Sequence, residues 1–373
     1  MNFLILLPRK FIRGVVSCGT PVFFCARFMR KKQQETTRRQ DPEAVISTKQ
    51  NQNHEIKTLD ATSRKKRSAG MTKNSGENMS WLINAEQLDK FRKSQKSLII
   101  FDASLHLGDE NHRNAQQEFT EKHIPDAKFF DIELFSDPNT DLPHMLIQDE
   151  KLISEKLSAL GVRNDYKIIF YDNSTLRTSC RALWMMKMFG HNPFQLYILD
   201  GGLNAWIQYN NKTESGAPNY SPKQYTATFQ SQFIRTLSQM KENVKHPKEQ
   251  VVDVRHSIRF IGGKEPRPGL RAGHIPGSFC FPFFTMFDRD TQLWKPLDKI
   301  RRQLKGISLD LNYPIISTCG SAITAPILDF ALDLLEHKNH SVYDGSWTEW
   351  GAEKLYSGEI DLSERPVETC LEN

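Results

Sequence analysis

Four blocks of this chain occur twice, in the same order and at a nearly constant spacing. "SLIIFDAS" (97–104) matches "EQVVDVRH" (249–256), and "EKHIPDAKFFDI" (121–132) matches "RAGHIPGSFCFPF" (271–283). "YKIIFYDNS" (166–174) matches "YPIISTCGS" (313–321), and "YILDGGLNAW" (197–206) matches "SVYDGSWTEW" (341–350). Asp102 and Asp253 are 151 residues apart, as are His123 and His274, and the later pairs drift to 147 and 144. An offset sustained across four blocks marks a tandem duplication, so both copies must fold as the same unit.

Within each copy, short apolar runs such as "KIIFY" and "PIIST" alternate with longer helical patterns. "APILDFALDLLEHK" places Ile327, Phe330, Ala331, Leu334 and Leu335 on one helical face, and "RALWMMKMFGH" follows the matching strand of the first copy. Short apolar strands between helices predict an α/β fold of two tandem domains, each a parallel sheet flanked by helices. Such sheets bind ligands beyond the C-terminal ends of their strands. Asp172 and Cys319 occupy that place in their respective copies. The predicted organisation is a basic, largely disordered extension over residues 1–79, a first domain over 80–212, a linker over 213–228 and a second domain over 229–370.

Charge separates the extension from the rest. Residues 1–80 hold 16 Lys/Arg against 6 Asp/Glu, which leaves 34 against 38 in the body. The net charge of +6 therefore belongs to the extension and gives no reason to expect nucleic-acid binding by the folded part. The first acidic residue is Glu35, and basic residues sit among Phe, Leu, Ile and Val before it. That composition suits a mitochondrial presequence, with a cytoplasmic protein carrying a dispensable tail as the alternative. Residues 33–79 are too polar to offset the entropy of ordering. "RKKR" (64–67) reads as a solvated charge run. No apolar run approaches the roughly 18 residues that a membrane span needs. The six cysteines show neither zinc spacing nor a disulfide framework, which points to free thiols in a reducing compartment.

One of those thiols has a distinctive setting. In "IISTCGSAITAP" (315–326), Cys319 follows a strand pattern and precedes a helix that starts near Ala325 or Pro326, where proline is favoured. Small residues leave the loop amides free, and a helix N-terminus adds positive partial charge, so a thiolate can be stabilised without a basic neighbour. A buried, inert cysteine is the plain alternative. The matching loop carries Asp172, which is no thiol nucleophile, so one copy is expected to work and the other to serve as scaffold and lid. A cysteine phosphatase would need an arginine six positions after its nucleophile to clamp phosphate; here that position is Ala325.

The tandem repeat, the "CGSAITA" loop and the "DGSWTEW" segment resemble the two-domain rhodanese family, and within it the mercaptopyruvate branch. The resemblance covers residues 80 to 355. Thiosulfate-using members carry two basic residues after the cysteine, where this chain has Gly320 and Ser321. The family usually has glycine at the position of Ala322. By resemblance, Arg259 and Arg267 bind the substrate, together with Gly320 and Thr324 of the loop. A 2-oxo acid presents a planar carboxylate, which suits bidentate arginine recognition. The resemblance also implies a Ser–His–acid arrangement for proton handling, made of Ser321, His144 and Glu133, with Asp131 as a substitute for the acid. Since His144 lies in the first copy, that assignment requires a site formed between the domains. His123, His274, Trp206 and Trp350 recur in both copies and read as structural.

The implied activity is transfer of the sulfur of 3-mercaptopyruvate through a Cys319 persulfide to cyanide or a thiol acceptor such as thioredoxin, with release of pyruvate. Thiosulfate:cyanide transfer and a non-catalytic persulfide carrier are the rivals. No metal or organic cofactor, no nucleic acid and no membrane is implied, and a monomer or weak dimer is expected.

Overall fold

The computed structural model describes residues 81–355, 358 and 361–370. The basic extension, with its candidate targeting segment and the "RKKR" run, lies outside the described residues. In the first half the order is β1 (Leu82–Ile83), α1 (Ala85–Ser94), β2 (Leu98–Asp102), α2 (Ala115–Glu121) and β3 (Lys128–Phe129). It continues through α3 (Glu150–Ala159), β4 (Lys167–Tyr171), α4 (Ser179–Met188), β5 (Leu196–Leu199) and α5 (Gly202–Gln208). The second half repeats this plan with β6 (Ile234–Arg235), α6 (Leu237–Lys245), β7 (Gln250–Asp253), α7 (Ser257–Phe260) and β8 (Phe279–Cys280). It ends with α8 (Leu297–Gly306), β9 (Ile315–Thr318), α9 (Ala325–Leu334), β10 (His340–Tyr343) and α10 (Ser346–Trp350).

Each half builds a five-stranded sheet, with order β1-β5-β4-β2-β3 in the first and β6-β10-β9-β7-β8 in the second. Every strand pair in both sheets is parallel. The register repeats as well: Asp102 pairs with Tyr171 across β2 and β4, and Asp253 pairs with Thr318 across β7 and β9. Asp172 and Cys319 are consequently the first residues beyond equivalent strand ends, where open parallel sheets place their ligands.

Local sequence starts the helices where they begin. Asn84 and Gln87 form a reciprocal capping box on α1, and Thr236 with Gln239 forms the same box on α6. Pro326 stands in the first turn of α9, where it loses no hydrogen bond.

The central helices depart from the expected single buried face. In α9, Leu328, Asp329 and Leu332 are buried along with Ile327, Phe330 and Ala331, and α4 is buried at all positions but Lys187. Both are covered twice, by their own sheet on one side and by each other on the other. A helix apolar all round is one buried all round. One continuous apolar core therefore runs through both halves, from Phe101 and Phe170 across Trp184 and Met188 to Phe330 and Val342. Each fully buried Leu, Met or Phe in it contributes about 1.5–3 kcal/mol.

The segment between the halves is bound along its length. Lys223 and Tyr225 donate their amides to the Ser158 carbonyl and hydroxyl, and Ala227 donates to the Ser154 hydroxyl, which straps the chain over α3. His123 and His274 hold equivalent corners: each ring stacks on a phenylalanine, Phe119 or Phe260, and bonds that residue's carbonyl. Trp206 and Trp350 are fully buried.

Candidate active site

The cysteine loop is defined by where its polar backbone groups go. The first two carbonyls are engaged by the α10 segment: that of Cys319 accepts the Trp347 amide at 3.0 Å, and that of Gly320 accepts the Thr348 amide at 2.8 Å and hydroxyl at 2.6 Å. The amides of Cys319 and Ala322 both donate to the Ser346 hydroxyl at 3.2 Å, and that hydroxyl donates to the Tyr343 carbonyl. The amides of Gly320, Ser321, Ile323 and Thr324 have no acceptor among the described residues. Four free N–H groups in one tight loop at the start of α9 make a concentrated field of positive partial charge. Cys319 is buried beside them at 2% exposure.

Ala322 supplies the corner of this loop with a φ of +56°. A left-handed backbone costs a non-glycine residue about 1–2 kcal/mol. Alanine where the family usually has glycine therefore has a physical consequence: the loop keeps, under strain, the turn that glycine makes freely.

Two arginines border the loop from α7 and the segment after it. Arg259 grips Glu265 with both its Nε and Nη2 at 2.8–3.1 Å, and Arg267 Nε reaches the same carboxylate at 3.2 Å. Arg267 also donates to the Thr348 hydroxyl at 2.9 Å and approaches the Gly320 carbonyl. A side chain added at Gly320 would meet guanidinium nitrogens of Arg267 at 3.5 and 3.6 Å and of Arg259 at 3.7 Å. Glu265, with its side chain 4% exposed, is the shared counter-ion, leaving one positive charge in excess beside the loop. Burial, then repulsion from Arg259, lowers the pKa of Arg267, while Glu265 and the Cys319 sulfur act to raise it. Arg255, a further neighbour of Glu265, is balanced by its own ion pair with Asp253.

The first half contributes His144 and Glu133. His144 Nδ1 lies 2.6 Å from Glu133 Oε1, and His144 also has a left-handed backbone, with φ of +63°. Burial pushes the Glu133 carboxyl upward, but the hydrogen bond and charge of His144, with help from Ser136 and Arg181, bring it below the ordinary range. Asp131, the substitute candidate, instead caps the turn at Ile132–Phe135 by accepting the Glu133 amide, and burial raises its pKa. The longer carboxylate is thus the one that meets the imidazole. Ser321 is partly exposed and makes no hydrogen bond to His144, so the structure joins two members of the expected triad and leaves the third apart. Thr324 lies at the N-terminus of α9.

Sequence reasoning passed over several residues that hold this geometry. Ser346 and Thr348 lie inside the "DGSWTEW" block without having been given a role. Glu265 stands between the two arginines in "RFIGGKEPR", where its spacing was the available signal. Arg181 opens the apolar run "RALWMMKMFGH", whose pattern carries no sign of a partner across the domain boundary. In the first half the equivalent loop is closed by its own anion: the Asp172 carboxylate accepts the amides of Ser174 and Ser179.

The equivalent sheets, the buried cysteine after the fourth strand of the second and the carboxylate in its place in the first define one class. The Rhodanese-like domain family matches residues 84–209 and again residues 236–353, and the chain belongs to that family, twice over. Among its relatives are "Thiosulfate/3-mercaptopyruvate sulfurtransferase 1, mitochondrial" of Arabidopsis thaliana, 37% identical over 281 residues, and "3-mercaptopyruvate sulfurtransferase" of Mus musculus, 38% identical over 269. The alignments cover 69% of this chain and 73% of the plant protein, and 71% and 89% for the mouse one. The crystal structure of SseA from Escherichia coli, titled as a 3-mercaptopyruvate sulfotransferase, superposes with a TM-score of 0.65 at 32% identity, covering 72% of this chain and 99% of that one.

Proposed function

We propose that this protein is a 3-mercaptopyruvate sulfurtransferase. The observation that carries the reading is the division of labour at the loop: no basic residue within it, and Arg259 and Arg267 both facing Gly320 from outside. A small 2-oxo acid fits this arrangement, its carboxylate on the guanidinium pair and its thiol sulfur towards Cys319. A thiosulfate-type loop would put a basic side chain at position 320, into contact with two guanidinium groups.

The step balances without a cofactor. The Cys319 thiolate attacks the donor sulfur, an S–S bond forms, and the C3–S bond breaks with its electron pair leaving as pyruvate enolate. The proton carried by the donor thiol passes to the enolate carbon to give pyruvate; His144, held on Glu133, and separately Ser321 of the loop are the side chains that would carry it. The free amides of the 320–324 loop stabilise the terminal sulfur of the persulfide anion. A thiolate acceptor, of which a reduced thioredoxin is one, then attacks the outer sulfur and returns the Cys319 thiolate, which gives ping-pong kinetics. The acid-poor N-terminal segment and the mitochondrial relative support a mitochondrial location.

The test compares 3-mercaptopyruvate with thiosulfate as donors to cyanide, for wild type and Cys319→Ser. Preferred turnover of mercaptopyruvate with pyruvate release, abolished in Cys319→Ser, is expected. Preferred use of thiosulfate would point to the rival donor, and no turnover of either to a carrier loaded by another protein.

A further inference from the structure

Two residues of the site that hold a left-handed backbone without being glycine, Ala322 in the cysteine loop and His144 across the domain boundary, are gripped by one side chain, while the third, Ser346, is held by its own hydroxyl. Arg181 of α4 donates through Nη1 to the Ala322 carbonyl at 3.3 Å and through Nη2 to the His144 carbonyl at 2.5 Å. Its charge is met by Asp344, at 2.9 Å from Nη1, whose second oxygen accepts the Leu146 amide two residues beyond His144. The guanidinium lies 4.5 Å from the Trp184 ring and is 1% exposed. A planar fork with several fixed donors can serve two carbonyls and a carboxylate together; an ammonium cannot hold that plane.

The duplication supplies an internal control on whether the fold itself needs this residue. With Asp172 opposite Cys319, Arg181 falls opposite Leu328, and Asp344 falls opposite Asp200. Asp200 likewise accepts an amide from the other half, that of Trp294 at 3.0 Å, but among the described residues no arginine is hydrogen-bonded to it. Burial pushes its carboxyl up to about 6. The same inter-domain contact thus forms on the side without a nucleophile with no buried guanidinium. On that side Arg177 crosses the boundary to Gln292 and the Phe287 ring from a partly exposed position, whereas a fully buried guanidinium shared by an aspartate and two carbonyls occurs where a cysteine loop and a histidine are held in register.

We infer that Arg181 is a positioning residue for sulfur transfer, holding the strained corner of the cysteine loop and the His144 backbone in one frame. The inference rests on the sulfurtransferase reading. It predicts a loss in kcat rather than in donor affinity, because Arg259 and Arg267 make no contact with Arg181.

The experiment measures pyruvate release from 3-mercaptopyruvate by wild type, Arg181→Lys and Arg181→Lys with Ala322→Gly. Arg181→Lys is expected to lower kcat by about tenfold or more, with KM within about twofold, since small misplacements of reacting groups carry penalties of that order. Glycine at 322 takes the left-handed turn unaided, so the double variant should regain about threefold or more. A merely structural role would not give that rescue. Wild-type kcat in folded Arg181→Lys, or a loss that Ala322→Gly leaves untouched, overturns the inference. If Arg181→Lys does not fold, Asp344→Asn, which keeps Arg181 while removing its counter-charge, is expected to show a smaller loss with the same rescue; wild-type kcat there overturns the inference equally. Failure of the wild type itself to release pyruvate would instead overturn the sulfurtransferase reading.

Discussion

Glu265 settles the behaviour of Arg259 and Arg267, because one buried carboxylate holds two guanidinium groups that would otherwise repel each other beside the loop. Removing Arg267 takes away both a carboxylate donor and the brace on Gly320. Arg267→Gly should therefore raise the KM for mercaptopyruvate by about tenfold or more, with a smaller change in kcat; an unchanged KM in steady-state kinetics would remove that residue from the site. Glu133 acts at a different atom. Its carboxylate orients the His144 imidazole from 2.6 Å, so Glu133→Gln should lower kcat on the order of tenfold to a hundredfold while sparing KM. Glu133→Asp, which shortens the reach, should lie between the two in the same assay. Cys319, Arg259 and Arg267 stand out in the sequence because their residue types are suited to the chemistry, and the fold brings the two guanidinium groups up to the loop that follows the cysteine. The acid of the imidazole pair was also nameable, but the choice between Glu133 and Asp131 was one of side-chain reach, which only the fold decides.

The cysteine loop and the α10 segment function as one element. Ser346 stands opposite Gly202 in the duplication, and its hydroxyl accepts two amides of the loop from a buried position. Ser346→Ala would leave the Cys319 and Ala322 amides without an acceptor and should cost about 2 kcal/mol or more of stability, measured by denaturant unfolding. Persulfide formation should slow in the folded protein, and a variant as stable and as fast as wild type would contradict the bracing role. The strands, the helices and their alternation were readable from hydrophobic spacing, since a buried parallel strand has few alternatives to an apolar run. What spacing could not reveal was that α9 and α4 cover each other. Burial of Asp329, Leu328 and Leu332 follows from a second layer, which periodicity within one helix does not encode. The same holds for Arg181, an ordinary helix residue in sequence and a bridge between domains in three dimensions.

At the scale of the molecule, the two copies have diverged into an anion-filled loop and a working one, joined through α4 and α9. The join contains a buried charge network: Lys187 bonds Asp329 at 3.0 Å and Asp333 at 2.5 Å, and His340 lies 2.6 Å from Asp329. Burial alone would lower the His340 pKa, but the two aspartates raise it from 6.5 to about 9. A histidine raised in the folded state stabilises fully below its unfolded value and loses that contribution as pH rises through the folded one. Stability should therefore fall between pH 6.5 and about 9, by about 3 kcal/mol, and His340→Gln should flatten that slope in thermal unfolding across the range. A wild-type curve no steeper than that of His340→Gln would place the pH dependence elsewhere. The duplication made the two-domain plan legible from sequence, whereas the inter-domain partners were not, because no spacing along the chain records which residues face across it. The central claim, that Cys319 takes sulfur from a 2-oxo acid donor, is met most directly by a single-turnover measurement without acceptor. Mercaptopyruvate should release one equivalent of pyruvate per protein and leave one added sulfur on the Cys319 peptide by mass spectrometry. Pyruvate release with an unmodified Cys319, or no release at all, would contradict it.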